Sequence, residues 1–267
     1  MEFCECYLKG RRKQSRKKAV FPAGGAMNFY IASCVFTQRY PELSFRIQDY
    51  IQKRNELSIV RCCVPHYKEK EFEEKLPAAL REAWMSHPSS ADFQAGDTVY
   101  SLCHNCSAII DEWKTGVNTK SLWEYILEDE QFVYPDFHGE EFYIQDCWRA
   151  GDRKEEQMAV RAILKKMNIT ILELPDNFEK TRFCGNSLYR PAPPRNLKLA
   201  PERFVKNAEG MFHDCSMEEQ KQIMTEYCSR FKGHKVIAYC HYCHEGLKLG
   251  NADAFHLAQL LFPEDLK

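Results

Sequence analysis

The sequence predicts an α/β protein of two tandem, pseudo-symmetric halves, each a small, mostly parallel sheet flanked by helices, with cysteines at the C-terminal ends of the strands. Three observations predict it. The heptapeptide NFYIASC at 28–34 recurs as EFYIQDC at 141–147. Short apolar, β-type runs alternate with segments of helical period. Cysteines stand where the strand-type runs end. Strands alternating with helices imply parallel pairing through right-handed crossovers, and a duplicated order of elements makes the repeat credible.

Residues 1–26 read as a basic, disordered leader. Between Lys9 and Lys18 seven of ten residues are basic; with Glu2 and Glu5 the leader carries +5, leaving −6 from Met27 onward. Such a tail can contact nucleic acid or acidic lipid, but a solvated leader needs neither. Arg11 and Arg12 invite a twin-arginine export reading, which Pro22, Gly24 and Gly25 in the following apolar run disfavour. Met27 therefore reads as the natural start, and the two halves as 27–140 and 141–267.

In the first half, strand NFYI leads to Cys34 and a helix over RYPELSFRIQDYIQKR (39–54). SIVRCC (58–63) then ends in two adjacent cysteines, EKEFEEK (69–75) reads as a solvated helix face, and TVYSLCHNC (98–106) is a strand entering Cys-x-x-Cys. Helical patterns follow in SAIIDEW (107–113) and SLWEYILED (121–129). The second half repeats this order: EFYIQDC, a helix over RKEEQMAVRAILKKM (153–167), TRFCGN (181–186) opposite SIVRCC, then KVIAYCHYC (235–243) and a helical DAFHLAQLL (253–261). A longer insert, with the proline-rich PAPPRN (191–196), separates Cys184 from Cys240. Strand carboxyl ends form the ligand crevice of such sheets. The helix after each Cys-x-x-Cys adds a positive dipole end that favours thiolate.

Composition narrows the function classes. A chain of 267 residues with 44% hydrophobic content is long enough for a substantial core. No apolar run reaches the roughly 20 residues of a membrane-spanning helix, and a net charge of −1 gives no pull toward nucleic acid. Thirteen cysteines, an odd number, in a chain too large to need disulfide staples point to metal or redox chemistry in a reducing, oxygen-poor cytoplasm. There is no glycine-rich phosphate loop and no nucleophile elbow.

The adjacent Cys62 and Cys63 admit three readings: a coincidence of cysteine-rich composition, a strained vicinal disulfide, or two thiolates offered to one metal site. The other cysteines favour the third. Cys34, Cys62, Cys63, Cys103 and Cys106 recur in the order lone cysteine, cysteine pair, Cys-x-x-Cys, and Cys147, Cys184, Cys240 and Cys243 follow the same order with Phe183 in place of one cysteine of the pair.

This pattern resembles the cysteine-rich CCG family, typified by the B subunit of heterodisulfide reductase, over nearly all of residues 27–267. The resemblance implies two cysteine-rich modules that hold [4Fe-4S] clusters, of a noncubane type with five cysteines each, and a disulfide split between them. It departs at Val64, where the pattern has glycine, and at Phe183. It implies that Cys34, Cys62, Cys63, Cys103 and Cys106 bind a noncubane [4Fe-4S] cluster. It leaves four ligands, Cys147, Cys184, Cys240 and Cys243, for zinc or an ordinary [4Fe-4S] cluster, with Cys215 or Cys228 as a candidate fifth. The expected activity is that of an iron–sulfur oxidoreductase or oxidoreductase subunit. It would take electrons from an iron–sulfur or flavoprotein subunit and reduce a small disulfide or relay them in a larger complex. Two rivals are a zinc-stabilised, non-catalytic assembly module and a metal-free thiol oxidoreductase built on Cys62 and Cys63.

Three histidines are candidate catalytic groups. His104 and His241 occupy matched places inside the two Cys-x-x-Cys loops, where they can hydrogen-bond sulfur or relay protons, unless they are merely exposed loop residues. His66, two residues beyond Val64, can deliver a proton to a leaving thiolate or simply face solvent. CHYCH (240–244) matches a haem-attachment spacing, but its counterpart CHNCS (103–107) lacks the last histidine.

Overall fold

The structure, a computed structural model, describes residues 25–194 and 196–264. Most of the basic leader lies outside the described residues. Two four-stranded sheets, all parallel, organise the chain. The first is built from β1 (Asn28–Ile31), β2 (Ser58–Val60), β3 (Thr98–Ser101) and β4 (Asn118–Ser121), in the order β2-β1-β3-β4. The second uses β5 (Glu141–Gln145), β6 (Thr170–Glu173), β9 (Lys235–Ala238) and β10 (Ala254–His256), in the order β6-β5-β9-β10. The two orders are the same, so the duplication read from NFYIASC and EFYIQDC extends to the connectivity. The insert adds a two-stranded ladder of β7 (Tyr189–Arg190) and β8 (His213–Asp214).

Helices cover the sheets as parallel pairing demands. After β1 come α1 (Cys34–Arg39) and α2 (Pro41–Arg54). In α2, Pro41 opens the helix, Leu43, Phe45, Ile47 and Ile51 are buried, and Asn55 ends it in the left-handed conformation at φ 55°. The acidic run forms α3 (Glu69–Lys75), in which Phe72 alone is buried, followed by α4 (Ala78–Met85). β3 feeds α5 (His104–Trp113), and β4 feeds α6 (Leu122–Glu128), whose N-terminus is a capping box of Ser121 and Glu124. In the second half, α7 (Lys154–Lys166) carries Glu155 and Glu156 in its first turn and Lys165 and Lys166 in its last, matching the helix dipole. Then follow α8 (Met217–Cys228) in the insert, α9 (His241–Leu249) after β9, and α10 (Leu257–Leu261) after β10. Among the described residues no helix is long and apolar enough to cross a membrane.

Two details differ from the sequence reading. TRFCGN does not supply a strand: residues 181–184 are coil, and the partner of β5 at the position of β2 is β6, residues TILE. The Phe183 carbonyl instead accepts from Trp148 N at 2.9 Å, and its ring stacks on Tyr227 at 4.1 Å and 12°. The helical patterns SLWEYILED and DAFHLAQLL are each led by a short strand, β4 and β10, that adds the fourth strand to its sheet.

The halves share a core. One apolar cluster joins Tyr30, Phe36 and Trp123 of the first half to Phe142, Ile163, Tyr239 and Leu257 of the second. Polar ties cross the same boundary: Tyr40 Oη lies 2.9 Å from His244 Nδ1, and Arg39 pairs with Glu245 at 2.7 Å.

Candidate metal centre

The nine cysteines expected as ligands gather into two groups of different shape. In the first half, Cys34 begins α1, Cys62 and Cys63 follow β2, Cys103 caps α5 and Cys106 lies in its first turn. The pair is held in place by backbone bonds from Arg61 N to Pro88 O, 3.0 Å, and from Cys62 N to Ser89 O, 2.9 Å. All five sulfur-bearing residues line one open cavity of about 240 Å³. Cys34 Sγ and Cys62 Sγ are 3.4 Å apart as free thiols. The Cys34 and Cys63 thiols, with the backbone N–H groups of Val64 and Cys63, pull the Cys62 thiol down to about 3 against the opposing effect of burial. Cys103 and Cys63 likewise hold Cys106 at about 5. Thiolate is thus favoured at two points of the ring, and each is served by neighbouring S–H donors.

In the second half, Cys147 follows β5, Cys184 sits in the loop before the turn Gly185–Ser187, Cys240 caps α9 and Cys243 lies in its first turn. All four are buried, and their sulfurs lie within 4.8 Å of one another, with Cys147 and Cys184 at 3.5 Å. A tetrahedral ion with metal–sulfur bonds of about 2.3 Å sets its ligand sulfurs about 3.8 Å apart. The four cysteines therefore fit a single metal ion. Burial opposes ionisation of Cys240, yet the converging thiols of Cys147, Cys184 and Cys243 and the nearby His104 ring hold it well below the usual thiol range. Among the described residues this is the one group whose donors converge so closely. The five first-half sulfurs are spread around their cavity instead, in number and spacing beyond one tetrahedral ion.

Glycine explains how the loop bearing Cys184 reaches α9. Gly185 has φ +47°, and a Cβ there would stand 1.9 Å from Tyr242 O; a Cβ on Gly246 would stand 2.6 Å from Gly185 Cα. Two bare backbones touch, and the cysteines on them meet. Trp148 N donates to Phe183 O at 2.9 Å and ties the same loop to the Cys147 turn. The matching glycine is not needed in the first half, where positive φ falls at His66 and Lys68 rather than at Val64.

No family model, curated protein or solved structure matches this chain.

The candidate histidines part company. His104 and His241 are not exposed loop residues: they are 3% and 1% exposed, and each ends inside the opposite half. His104 Nε2 lies 3.0 Å from buried Glu156 Oε1, and its ring meets Tyr239 edge-on. Burial works against its charge, but Glu156 and the Cys240 sulfur raise it to about 10. His241 packs edge-on to Phe36, and burial lowers it to about 3. His66 is exposed, with Nδ1 2.9 Å from Glu69 Oε2, beside Cys34 and Cys62 at the edge of the first site. Cys215 and Cys228 stand apart from the four converging sulfurs; Cys228 Sγ instead donates to Leu247 O at 3.6 Å.

Two residues near the sites were not singled out from sequence. Glu156 looks like one more surface charge in KEEQ, and only the burial of its helix face reveals it as the partner of His104. Arg149, two residues after Cys147, is 3% exposed and donates from Nη2 to Ser187 Oγ at 2.5 Å.

Proposed function

We propose that this chain is an iron–sulfur redox protein similar to the heterodisulfide reductase B subunit, with one cluster site and one structural metal site. The observation that carries the reading is the contrast between the two thiol groups. Five cysteines ring an open cavity, which suits a polynuclear cluster reachable by a small molecule. Four buried cysteines converge at the spacing of one tetrahedral ion, which suits zinc better than a four-iron cubane, whose outer sulfurs stand farther apart.

A cluster in the first site would supply electrons one at a time, received from an iron–sulfur or flavoprotein partner subunit. The net conversion is a disulfide plus two electrons and two protons giving two thiols. The residues of this chain do the rest. Cys34, Cys62, Cys63, Cys103 and Cys106 would hold the cluster in the cavity they line, whose open side admits a small disulfide. His66, hydrogen-bonded to Glu69 at the edge, is placed to pass a proton to a departing thiolate. His104 and His241 are buried between the halves and serve to position the second site rather than to meet substrate. The reducing compartment expected from the cysteine content is the cytoplasm.

The test is iron, sulfide and zinc analysis of protein purified without oxygen. About four irons with matching sulfide, plus one zinc, is the expected result. Colourless protein with zinc alone would favour a zinc-stabilised assembly module, and metal-free protein with titratable Cys62 would favour a thiol oxidoreductase.

A further inference from the structure

We propose that Arg149 is the fixed counter-charge of the four-cysteine site, a positioning residue that allows four thiolates to be held around a divalent ion in an apolar interior. The inference rests on the metal reading of that site.

An arginine is always charged, and a buried one needs an anion or a full set of acceptors. Arg149 has neither in the ordinary form. Its Nη2 donates to Ser187 Oγ, while Nε and Nη1 carry no hydrogen bond. Among the described residues no carboxylate pairs with it. The rings of Phe204, Tyr242 and Trp148 stand 4.9, 5.5 and 5.8 Å from its guanidinium carbon, which offsets part of the desolvation and no more. It stands two residues after Cys147 and reaches the turn that opens at Cys184, so the groups beside it able to hold negative charge are the site's own thiols.

Its placement is specific as well. The backbone of Arg149 belongs to the turn that follows Cys147, and its side chain reaches Ser187, whose N–H closes the turn on Cys184 O at 3.1 Å. One residue thus links the two turns that supply half of the ligands. Four thiolates around a divalent ion leave a net charge of −2, and the guanidinium cancels half of it. Apolar packing alone does not explain an arginine here, since a methionine would fill the same space without a buried charge.

The experiment uses the full chain with Arg149→Met, which removes the charge, and Arg149→Lys, which keeps it. Zinc affinity is read by competition with a chromophoric chelator, and the midpoint potential is read after loading iron into the same site. Arg149→Met should weaken zinc binding 10- to 100-fold, as loss of an outer partner of metal ligands does. It should also move the iron midpoint to more negative values, because the more negative ferrous state loses its stabilising cation. Arg149→Lys should stay within about tenfold of the parent in affinity and close to it in potential. Equal affinity and potential in all three proteins would overturn the assignment, and so would a Lys variant as weak as the Met variant, which would mean that shape and not charge matters. Should Arg149→Met fail to fold, Arg149→Gln, which also removes the charge, takes its place against Arg149→Lys and the parent on the same two readings. A parent protein that holds no metal at the site would sink the metal reading itself, a result distinct from either.

Discussion

Gly185→Ala should abolish metal binding at the four-cysteine site and spare the first. The added Cβ would lie 1.9 Å from Tyr242 O, 2.8 Å from Tyr242 C and 3.0 Å from Cys243 Cα, all backbone. Contacts under 3.0 Å are essentially never found for a real Cβ, so the loop and α9 must separate by about 1.1 Å. A metal–sulfur distance tolerates only about 0.2 Å, and Cys184 rides on the moving side while Cys240 and Cys243 ride on the other. The displacement exceeds the tolerance about fivefold. To this is added roughly 1 kcal/mol for an alanine at positive φ. Gly210→Ala is the control, since Gly210 has φ +69° with nothing within 4 Å of the Cβ position. It should lower stability by about 1 kcal/mol and keep its zinc. Zinc stoichiometry after gel filtration, with thermal unfolding beside it, reads both. A Gly185→Ala protein that holds one zinc at parental affinity would refute the claim that this backbone contact sets the site.

Three further outcomes are expected. Cys63→Ser should alter the iron content and visible spectrum of the first site and leave zinc at the second, since a hydroxyl is a poor iron ligand; parallel loss at both sites would contradict their independence. Phe183→Ala should destabilise the protein by about 3–5 kcal/mol through lost packing on Tyr227 while retaining zinc, as read by denaturant unfolding and metal analysis. Asp129→Asn should cost about 1.5–3 kcal/mol at pH 7 through its bonds to Arg54 and Tyr50. Despite burial, those partners hold the Asp129 carboxyl below its usual range. Its contribution is therefore present above the unfolded pKa and lost as pH falls through the folded one, so parent and variant should converge in stability only below the usual carboxylate range.

Much of the architecture was legible because parallel strands buried on both faces leave short apolar runs, and NFYI, TVYS and KVIA are such runs. β4 and β10 were less so: NTKS is polar, AFH is three residues long, and each passes directly into a helix. The cysteine order marked both thiol groups, but their different shapes depend on how closely backbones approach, which Gly185 and Gly246 decide and no spacing encodes. Arg149 and Glu156 were hidden for a related reason. Arg149 reads as solvated until the rings of its own half cover it, and Glu156 until the other half of the chain closes over it.

That closure has a consequence for how the gene can be divided. His104 completes its hydrogen bond on Glu156 of the second half, and His241 lies against Phe36 of the first. A fragment ending at residue 140, or beginning at 141, would present to water the apolar face that holds Tyr30, Phe36 and Trp123, or its counterpart with Phe142, Tyr239 and Leu257. Each fragment expressed alone would therefore seek a substitute surface, and a second copy of itself, carrying the same strand order, is the most similar one at hand. Co-expressed as separate chains, the two fragments should find each other and reassemble.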